Sequence, residues 1–412
     1  MDASSGWPLF LRVHCGRNVM TFQPDIAVIG AGIAGSSIAA HLAAHRKVQL
    51  FEMENHPGHH STGRSAAVFS EAYGNELVRA LTRASREFFY NPPLGFATAP
   101  LVTPRRVLLT ARQGQECALD QFVAVAREAG HVELQSLKEA LALCPILRPE
   151  VLVGAALTTS PADIDVNELQ QSYLRLFRQR GGIAAMASPV IGLERDTQGW
   201  RIRMADTEVR AQIIVNASGA WAGEVGLLAG ATDIGLQPLK RTACLIESPT
   251  GLNTADWPML VNVEEDFYLK PDSGMLLLSP ADKTLTDPCD AQADELDIAI
   301  AVDRLEQATT LQVRRIASKW AGLRSFVQDR SPVIGFDRLQ PSFFWFAALG
   351  GYGIQTAPAL SRIAAGRILS ESPSWKADGT DLYDCGIDVS KMSPARLGLP
   401  SEQELALGKN FL

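Results

Sequence analysis

The sequence has no two cysteines close enough together to form a metal-binding or redox motif. Its six cysteines are spread along the whole chain: Cys15, Cys117, Cys144, Cys244, Cys289 and Cys385. This spacing argues against a zinc site or a disulfide scaffold and favours reduced, structural thiols in a reducing compartment. We therefore expect no metal centre.

Basic residues are outnumbered by acidic ones, and the net charge is −7 over 412 residues. Such a surface repels phosphate backbones, so we expect no nucleic-acid partner. Apolar residues make up 46% and charged residues 20% of the chain, which excludes a disordered or fibrous protein. The length is that of two or three domains with a large core.

Signals for export or membrane insertion are weak. The apolar patch at residues 7–11 is broken by Pro8, and Arg12 and Arg17 follow it rather than precede it. We expect residues 1–20 to be a disordered N-terminal extension, with Met20 as a candidate start. The nearly uncharged residues 26–44 approach the length of a membrane span, but glycines interrupt them. We expect no transmembrane segment and a cytoplasmic location, with peripheral contact to a membrane electron acceptor left open.

The first regular elements form a βαβ unit. Residues 25–29 have the pattern of a fully buried parallel strand, residues 36–45 that of a helix, and residues 47–52 that of a second strand. Residues 75–89 are amphipathic at helical spacing. Residues 163–180 have the pattern of a capped helix that ends at a Gly-Gly pair.

Gly30, Gly32 and Gly35 form a GxGxxG motif that follows a buried strand and opens a helix, and Glu52 comes 22 residues after Gly30. In this context the motif predicts a dinucleotide site: the glycines permit a tight turn, a close approach to a pyrophosphate and close helix packing. The helix N-terminus favours phosphate, and a carboxylate at position 52 can accept hydrogen bonds from ribose hydroxyls. The alternative is an ordinary glycine-rich turn with Glu52 at a solvated strand end.

Further segments favour FAD, bound without a covalent link, over NAD. Residues 60–67 offer hydroxyls and amides after the second strand, residues 216–221 a second close backbone approach, and residues 350–353 amides suited to a reduced flavin.

His59 and His60 are read as loop residues beside the cofactor, with a base or a covalent anchor as the alternative. The predicted cofactor-binding residues are Gly30, Gly32, Ile33, Ala34, Gly35, Glu52, Met53, Ser61, Thr62, Arg64, Ser65, Ala66, Ala67, Val190, Ala217, Gly219, Trp221, Gly322, Gly350, Gly351, Tyr352, Gly353, Ile354, Gln355 and Thr356.

At these residues the chain resembles the D-amino acid oxidase-like (DAO) family of FAD-dependent oxidoreductases, and within it the bacterial D-arginine and D-amino acid dehydrogenases. The resemblance runs from about residue 24 to about residue 400. The segments that carry it are 28–35, 60–67, 91–93, 162–165, 235–238, 267–272, 320–326 and 350–356.

The resemblance implies an α/β fold, α+β overall, in which a discontinuous Rossmann-like FAD-binding domain is joined to a substrate domain with a mainly antiparallel sheet. We assign residues 21–95, 165–232 and 326–400 to the FAD-binding domain. Residues 96–164 and 233–325 form the substrate domain. Strand-like runs between residues 233 and 326 agree with a second sheet.

The resemblance also implies oxidative deamination of D-amino acids. Hydride passes from Cα to flavin N5, and the imino acid is hydrolysed to a 2-oxo acid and ammonia. The positions that match the family's carboxylate-holding residues are Arg241, Arg324, Tyr73 and Tyr268. Arginine suits this role because its guanidinium binds a carboxylate through two parallel hydrogen bonds. The alternatives are a structural salt bridge for Arg324, a surface charge for Arg241 and core packing for the tyrosines.

The residues expected to contact the substrate side chain differ from those of D-arginine dehydrogenase. Val107 stands where that enzyme has a glutamate, and Val68 where it has a histidine. With Ser70, these residues predict a pocket for neutral or apolar side chains, because a buried cation without a carboxylate is costly. Because Arg106 carries a positive charge, a substrate with an acidic side chain stays an alternative. Other readings are a glycine or sarcosine oxidase-like enzyme, another amine or 2-hydroxy-acid oxidoreductase, and a non-catalytic flavin-binding module.

Overall fold

The computed structural model of the chain describes residues 22–372 and 386–397. The predicted N-terminal extension lies outside these ranges. Two large sheets dominate the fold, one parallel and one mostly antiparallel, and two small three-stranded sheets accompany them. Among the described residues, no helix has both the length and the apolar character needed to cross a membrane.

The strands, in chain order, are β1 Ile26–Ile29, β2 Val48–Phe51, β3 Val68–Phe69, β4 Val102–Pro104, β5 Val107–Arg112, β6 Val132–Gln135, β7 Leu152–Thr158, β8 Ala162–Ile164, β9 Ile183–Ala185, β10 Gly192–Asp196, β11 Gly199–Arg203, β12 Glu208–Ala211, β13 Ile213–Asn216, β14 Gln237–Ile246, β15 Met259–Asn262, β16 Tyr268–Asp272, β17 Met275–Ser279, β18 Thr284–Leu285, β19 Ile316–Phe326, β20 Val333–Phe336 and β21 Phe343–Ala347. The α-helices are α1 Ile33–Leu42, α2 Glu76–Tyr90, α3 Glu116–Ala129, α4 Leu137–Leu143, α5 Val166–Gln179, α6 Ala222–Leu228, α7 Glu295–Ala308 and α8 Gly353–Glu371. Short 3-10 turns cover Gly219–Trp221, Val389–Met392 and Pro394–Leu397.

The parallel sheet has the strand order β20-β21-β13-β1-β2-β9, and only β20 runs antiparallel to its neighbour. All four residues of β1 are buried, as expected of a strand with elements on both faces. Its last residue, Ile29, lies opposite Phe51 on one side and Asn216 on the other. The carboxyl ends of β1, β2 and β13 therefore meet at one edge, where ligands bind in open α/β sheets.

The second sheet has the order β18-β14-β17-β16-β15-β5-β7-β6, and β19 pairs with β14. Its pairs are antiparallel except for β5 and β15. Its strands come from residues 107–158 and 237–326. The predicted fold class is confirmed, while the exact domain boundaries stay a prediction.

The predicted amphipathic helices form where expected. Asn75 caps α2 by accepting a hydrogen bond from the Val78 amide at 3.0 Å. Asp165 caps α5 in the same way through the Glu168 amide at 2.8 Å. Residues 208–215 form a continuous strand-like run in the sequence but two strands in the structure, β12 and β13, because the chain leaves a small antiparallel sheet at Gln212 and enters the parallel one.

Candidate active site

An elongated cavity runs along the carboxyl edge of the parallel sheet and reaches the second sheet. Its lining comes from within residues 29–34, 51–66, 188–190, 217–228, 241–243, 322–325 and 346–354, together with Tyr268. The cavity therefore begins at the GxGxxG turn and ends beneath β14 and β19.

The backbone of the GxGxxG turn packs so closely that Gly30 and Gly35 have no space for a side chain. Gly30 has a φ of +99°, and a Cβ there would lie 2.5 Å from the Ala217 carbonyl oxygen. A Cβ on Gly35 would lie 1.7 Å from the Gly30 carbonyl oxygen. The turn from β1 into α1 is thus as tight as a dinucleotide-binding turn requires.

Glu52 and Thr62 fix the start of α1. One Glu52 carboxylate oxygen accepts a hydrogen bond from the Ala31 amide at 2.7 Å, and the other accepts one from the Glu54 amide at 3.0 Å. The Thr62 hydroxyl accepts a hydrogen bond from the Ile33 amide at 3.0 Å. Each carboxylate oxygen keeps a further acceptor site for a ribose hydroxyl.

The loop after β2 is tied to the second sheet. The Ser61 hydroxyl donates to the Leu323 carbonyl at 2.5 Å. Arg64 donates to the carbonyls of Ala291 and Ala321, each at 2.9 Å, and pairs with Asp290. These bonds hold the loop against the strand that carries Arg324.

Gly350 and Gly351 bring the end of β21 close to the same strand. Gly350 has a φ of +56°, and a Cβ there would lie 2.4 Å from the Phe326 ring. A Cβ on Gly351 would lie 2.9 Å from Nη1 of Arg324. The absence of these side chains lets the Arg324 guanidinium lie against the backbone of residue 351.

Most of the predicted cofactor-binding residues line this one cavity: Gly30, Gly32, Ile33, Ala34, Glu52, Met53, Ser61, Thr62, Arg64, Ser65, Ala66, Val190, Ala217, Gly219, Trp221, Gly322, Gly350, Gly351, Gly353 and Ile354. The structure does not place Gly35, Ala67, Tyr352, Gln355 or Thr356 in its lining. Tyr352 faces a second cavity instead. Gln355 is bonded to the Ser70 amide and the Thr82 hydroxyl, and the Thr356 hydroxyl donates to the Tyr352 carbonyl inside α8.

His59 and His60 also line the cavity, as expected of loop residues beside a cofactor. Sequence reasoning found no carboxylate partner for them, but Nε2 of His60 lies 2.9 Å from a Glu54 oxygen. His59 bonds to His56 through ring nitrogens 3.0 Å apart. One potential ligand atom from each of Glu54, His59 and His60 lies within 4.8 Å of the other two, close enough for all three to bind one metal ion.

Arg241 and Arg324 come from neighbouring strands of one antiparallel ribbon. Arg241 lies opposite Gly322, and Leu239 lies opposite Arg324. Residues opposite each other share a face, as do residues two apart in one strand, so both arginines project from the same face. Both line the cofactor cavity and the second cavity beside it.

Neither arginine is in an ion pair with a carboxylate within residues 22–372 and 386–397. Arg241 donates from Nε to the Asp282 carbonyl at 2.9 Å, and Arg324 is hydrogen-bonded to the Tyr73 side chain. Burial lowers the pKa of Arg241, and the charge of Arg324 lowers it further. Burial also lowers the pKa of Arg324, but attraction by Tyr73, Tyr268 and Glu265 outweighs it and the net shift is upward.

The two tyrosines line different cavities, each shared with the arginine pair. Tyr268 lines the cofactor cavity, and Tyr73 lines the second cavity. Burial raises the pKa of Tyr73, and the nearby Arg324 charge lowers it without cancelling that effect. Tyr73 therefore stays protonated at neutral pH, and its phenol oxygen accepts the hydrogen bond from the Arg324 guanidinium.

The residues of the predicted side-chain pocket lie outside the lining of both cavities, and that pocket stays a prediction. Val68, Ser70 and Val107 line neither cavity. Val107 packs in an apolar cluster with Leu119 and Val123 of α3, because alternation along β5 turns it toward that helix. Arg106 binds the Asp256 carbonyl at 2.8 Å and lines neither cavity.

The second cavity is charged and was not predicted. Besides the arginine pair it is lined by Glu265, Asp282, Lys283 and Arg330. In the cofactor cavity, Ser188 and Pro189 were also missed. They follow β9, and the rule that ligands lie beyond the carboxyl ends of parallel strands would have found them.

The profile of the family described as "FAD dependent oxidoreductase" (DAO) matches residues 25–367. The chain belongs to this family. It is therefore an FAD-dependent oxidoreductase, and the glycine-lined cavity fits the dinucleotide. Among curated proteins it is similar to glycine oxidase of Geobacillus kaustophilus (strain HTA426), with 22% identity over 374 residues, 84% of this chain and 93% of that protein.

Solved structures share the fold. The glycine oxidase of Geobacillus kaustophilus superposes with a TM-score of 0.74 at 19% identity, covering 91% of this chain and 99% of that one. L-α-glycerophosphate oxidase from Mycoplasma pneumoniae with FAD bound gives 0.75 at 18% identity, covering 86% and 95%. Iminodiacetate oxidase from Chelativorans sp. BNC1 gives 0.72 at 21% identity, covering 90% and 98%. These relatives do not single out the D-arginine dehydrogenases, so that narrower resemblance stays a prediction.

Proposed function

We propose that this oxidoreductase acts on the Cα–N bond of an amino acid whose carboxylate is held by Arg241 and Arg324. The observation that carries the proposal is the pair of half-buried guanidinium groups at the end of the cofactor cavity. Neither has a carboxylate partner among the described residues, and a buried cation without a partner is costly. An anionic substrate removes that cost.

The side chains around the pair act by binding and orienting the substrate. A guanidinium holds a carboxylate through two parallel hydrogen bonds, so the α-carbon takes a fixed direction relative to the cavity. The entropy of orienting the substrate is then lost when it binds and no longer adds to the activation free energy. The Tyr73 phenol, hydrogen-bonded to Arg324, keeps that guanidinium in place.

The chemistry needs little further help from the protein. FAD, when bound, would accept the hydride of the substrate's Cα–H bond, and the Cα–N single bond would become the double bond of an imine. The substrate amine must be neutral for that step, and solvent can take its proton. Tyr73 is not the base, because burial raises its pKa.

Two substrate classes are supported. The family resemblance at Tyr73, Arg241, Tyr268 and Arg324 favours D-amino acids. The similarity to glycine oxidase and iminodiacetate oxidase favours glycine or its N-substituted derivatives as a second candidate. The preference for apolar side chains stays a prediction from the sequence, since the residues that suggested it line neither cavity.

The test is anaerobic mixing of the FAD-loaded protein with matched D- and L-amino acids, glycine, sarcosine, simple amines and 2-hydroxy acids. We expect loss of the oxidised flavin absorbance with at least one amino acid and not with the corresponding amine that lacks a carboxylate. Reduction by amines alone, or by none of these compounds, would refute the proposal.

A further inference from the structure

The second cavity, of about 260 Å³, lies beside the arginine pair and has more cations than the α-carboxylate of a substrate can satisfy. Its lining includes four basic side chains, Arg241, Lys283, Arg324 and Arg330, and two acidic ones, Glu265 and Asp282. Some of these charged side chains already have partners within the protein.

Both acids are engaged within the protein. Asp282 accepts hydrogen bonds from the amide and the hydroxyl of Thr242, at 2.6 and 3.2 Å. Glu265 pairs with Lys283 at 3.7 Å. Neither acid forms an ion pair with a guanidinium of this cavity among the described residues.

Arg330 is therefore a third guanidinium without an acidic partner in the described part of the chain. Its side chain lies over the Phe326 ring, with Cζ 5.0 Å from the ring centroid. The neighbouring Asp329 is not its partner, since both oxygens of that carboxylate bind Arg396, at 2.7 and 3.0 Å.

The backbone at Arg330 is held in a conformation that most residues avoid. Its φ is +57°, and its amide donates to the Val327 carbonyl at 2.9 Å. Strained backbone of this kind persists where the surrounding structure fixes it, and it clusters at ligand sites. The turn thus fixes the backbone of Arg330 at the cavity, where its side chain is solvent-exposed.

We propose that Arg330 recognises a second anionic group on the substrate, so that the preferred substrates are amino acids with an acidic side chain or an acidic N-substituent. This inference rests on the proposed function, because it assumes that Arg241 and Arg324 hold the first carboxylate. One carboxylate accepts at most a bidentate contact from each of two arginines, which leaves the third guanidinium for a second acid.

The test compares substrates that differ in charge and hardly in shape. Glutamate against glutamine, and aspartate against asparagine, are offered to the FAD-loaded protein as both enantiomers under anaerobic conditions. Iminodiacetate against sarcosine tests the N-substituted case. We expect kcat/KM for flavin reduction to be roughly tenfold or more higher for the acid in at least one pair, as expected for a hydrogen bond between charged groups.

The variant Arg330→Gln removes the charge and keeps a side chain of similar length. We expect it to bring the acid-to-neutral ratio of kcat/KM close to one, because the acid then loses its partner at this position. Arg338→Gln, an exposed arginine on another turn that lines neither cavity, is the matched control and should leave the ratio unchanged. FAD absorbance and the melting temperature establish that both variants are folded.

Neutral substrates that are oxidised as well as their acidic counterparts would overturn this inference and leave the proposed function intact. The same holds if Arg330→Gln preserves the wild-type ratio. Failure of every amino acid to reduce the flavin would instead refute the proposed function itself.

Discussion

Replacing Arg324 with lysine keeps a positive charge at the arginine pair but removes the planar fork. Arg324 is half-buried, is hydrogen-bonded to Tyr73 and lies where a Cβ on Gly351 would be 2.9 Å from its Nη1. Lysine offers a single ammonium group that cannot form two parallel hydrogen bonds to one carboxylate. We therefore expect substrate orientation to suffer while FAD binding is preserved.

The size of the effect follows from the bond that is lost. A hydrogen bond between charged groups contributes about 1.5–3 kcal/mol. Loss of one of the two bonds should lower kcat/KM roughly 10- to 150-fold, at about 1.4 kcal/mol for each factor of ten. The loss should appear in the rate of flavin reduction as well as in substrate affinity, because the missing bond sets the direction of the α-carbon.

The assay is anaerobic stopped-flow reduction of bound FAD over a range of substrate concentrations, for wild type, Arg324→Lys and the exposed control Arg338→Lys. Retention of the flavin spectrum shows that the cavity is intact. If kcat/KM of Arg324→Lys stays within threefold of wild type, Arg324 does not hold the substrate carboxylate.

Three further predictions address the cofactor turn, a helix cap and a buried histidine. Gly30→Ala should purify without FAD, because its Cβ would meet the Ala217 carbonyl oxygen at 2.5 Å; stoichiometric FAD in the purified variant would contradict this. Asn75→Ala should lower the free energy of unfolding by about 1 kcal/mol, measured with denaturant, since it removes the cap of α2. Burial lowers the pKa of His41 from 6.5 to about 3, so the unfolded chain takes up a proton that the folded protein refuses as pH falls through this window. Stability should therefore drop between pH 6.5 and 5 by up to about 1.4 kcal/mol per unit, and His41→Gln should flatten that slope.

The parts of the fold that follow local rules could be predicted from the sequence. The four apolar residues of β1 and the glycines after it specify a strand and a tight turn with few alternatives. The caps at Asn75 and Asp165 mark helix starts by the same local logic. Arg241 and Arg324 were found through family resemblance, and strand pairing explains why residues so far apart in the chain lie together.

The sequence analysis named Arg241, Arg324, Tyr73 and Tyr352 but not the other charged residues of the second cavity, because Glu265 and Arg330 come from turns without a sequence signal. Glu265 and Arg330 have φ values of +55° and +57°, in a region usually occupied by glycine or asparagine. A role for Val107 in a substrate pocket stays a prediction, since the strand pattern alone does not show what the residue faces. Alternation along a strand shows that one side faces a partner, but whether that partner is a ligand or a helix depends on tertiary packing.

The position of β21 in the parallel sheet has a consequence for biosynthesis. This strand lies between β13 and β20, although it is among the last strands to leave the ribosome. A nascent chain that stops before residue 343 lacks both a sheet neighbour for β13 and the segment that completes the flavin site. We therefore expect FAD to bind stably only after this strand has been synthesised and has paired with β13.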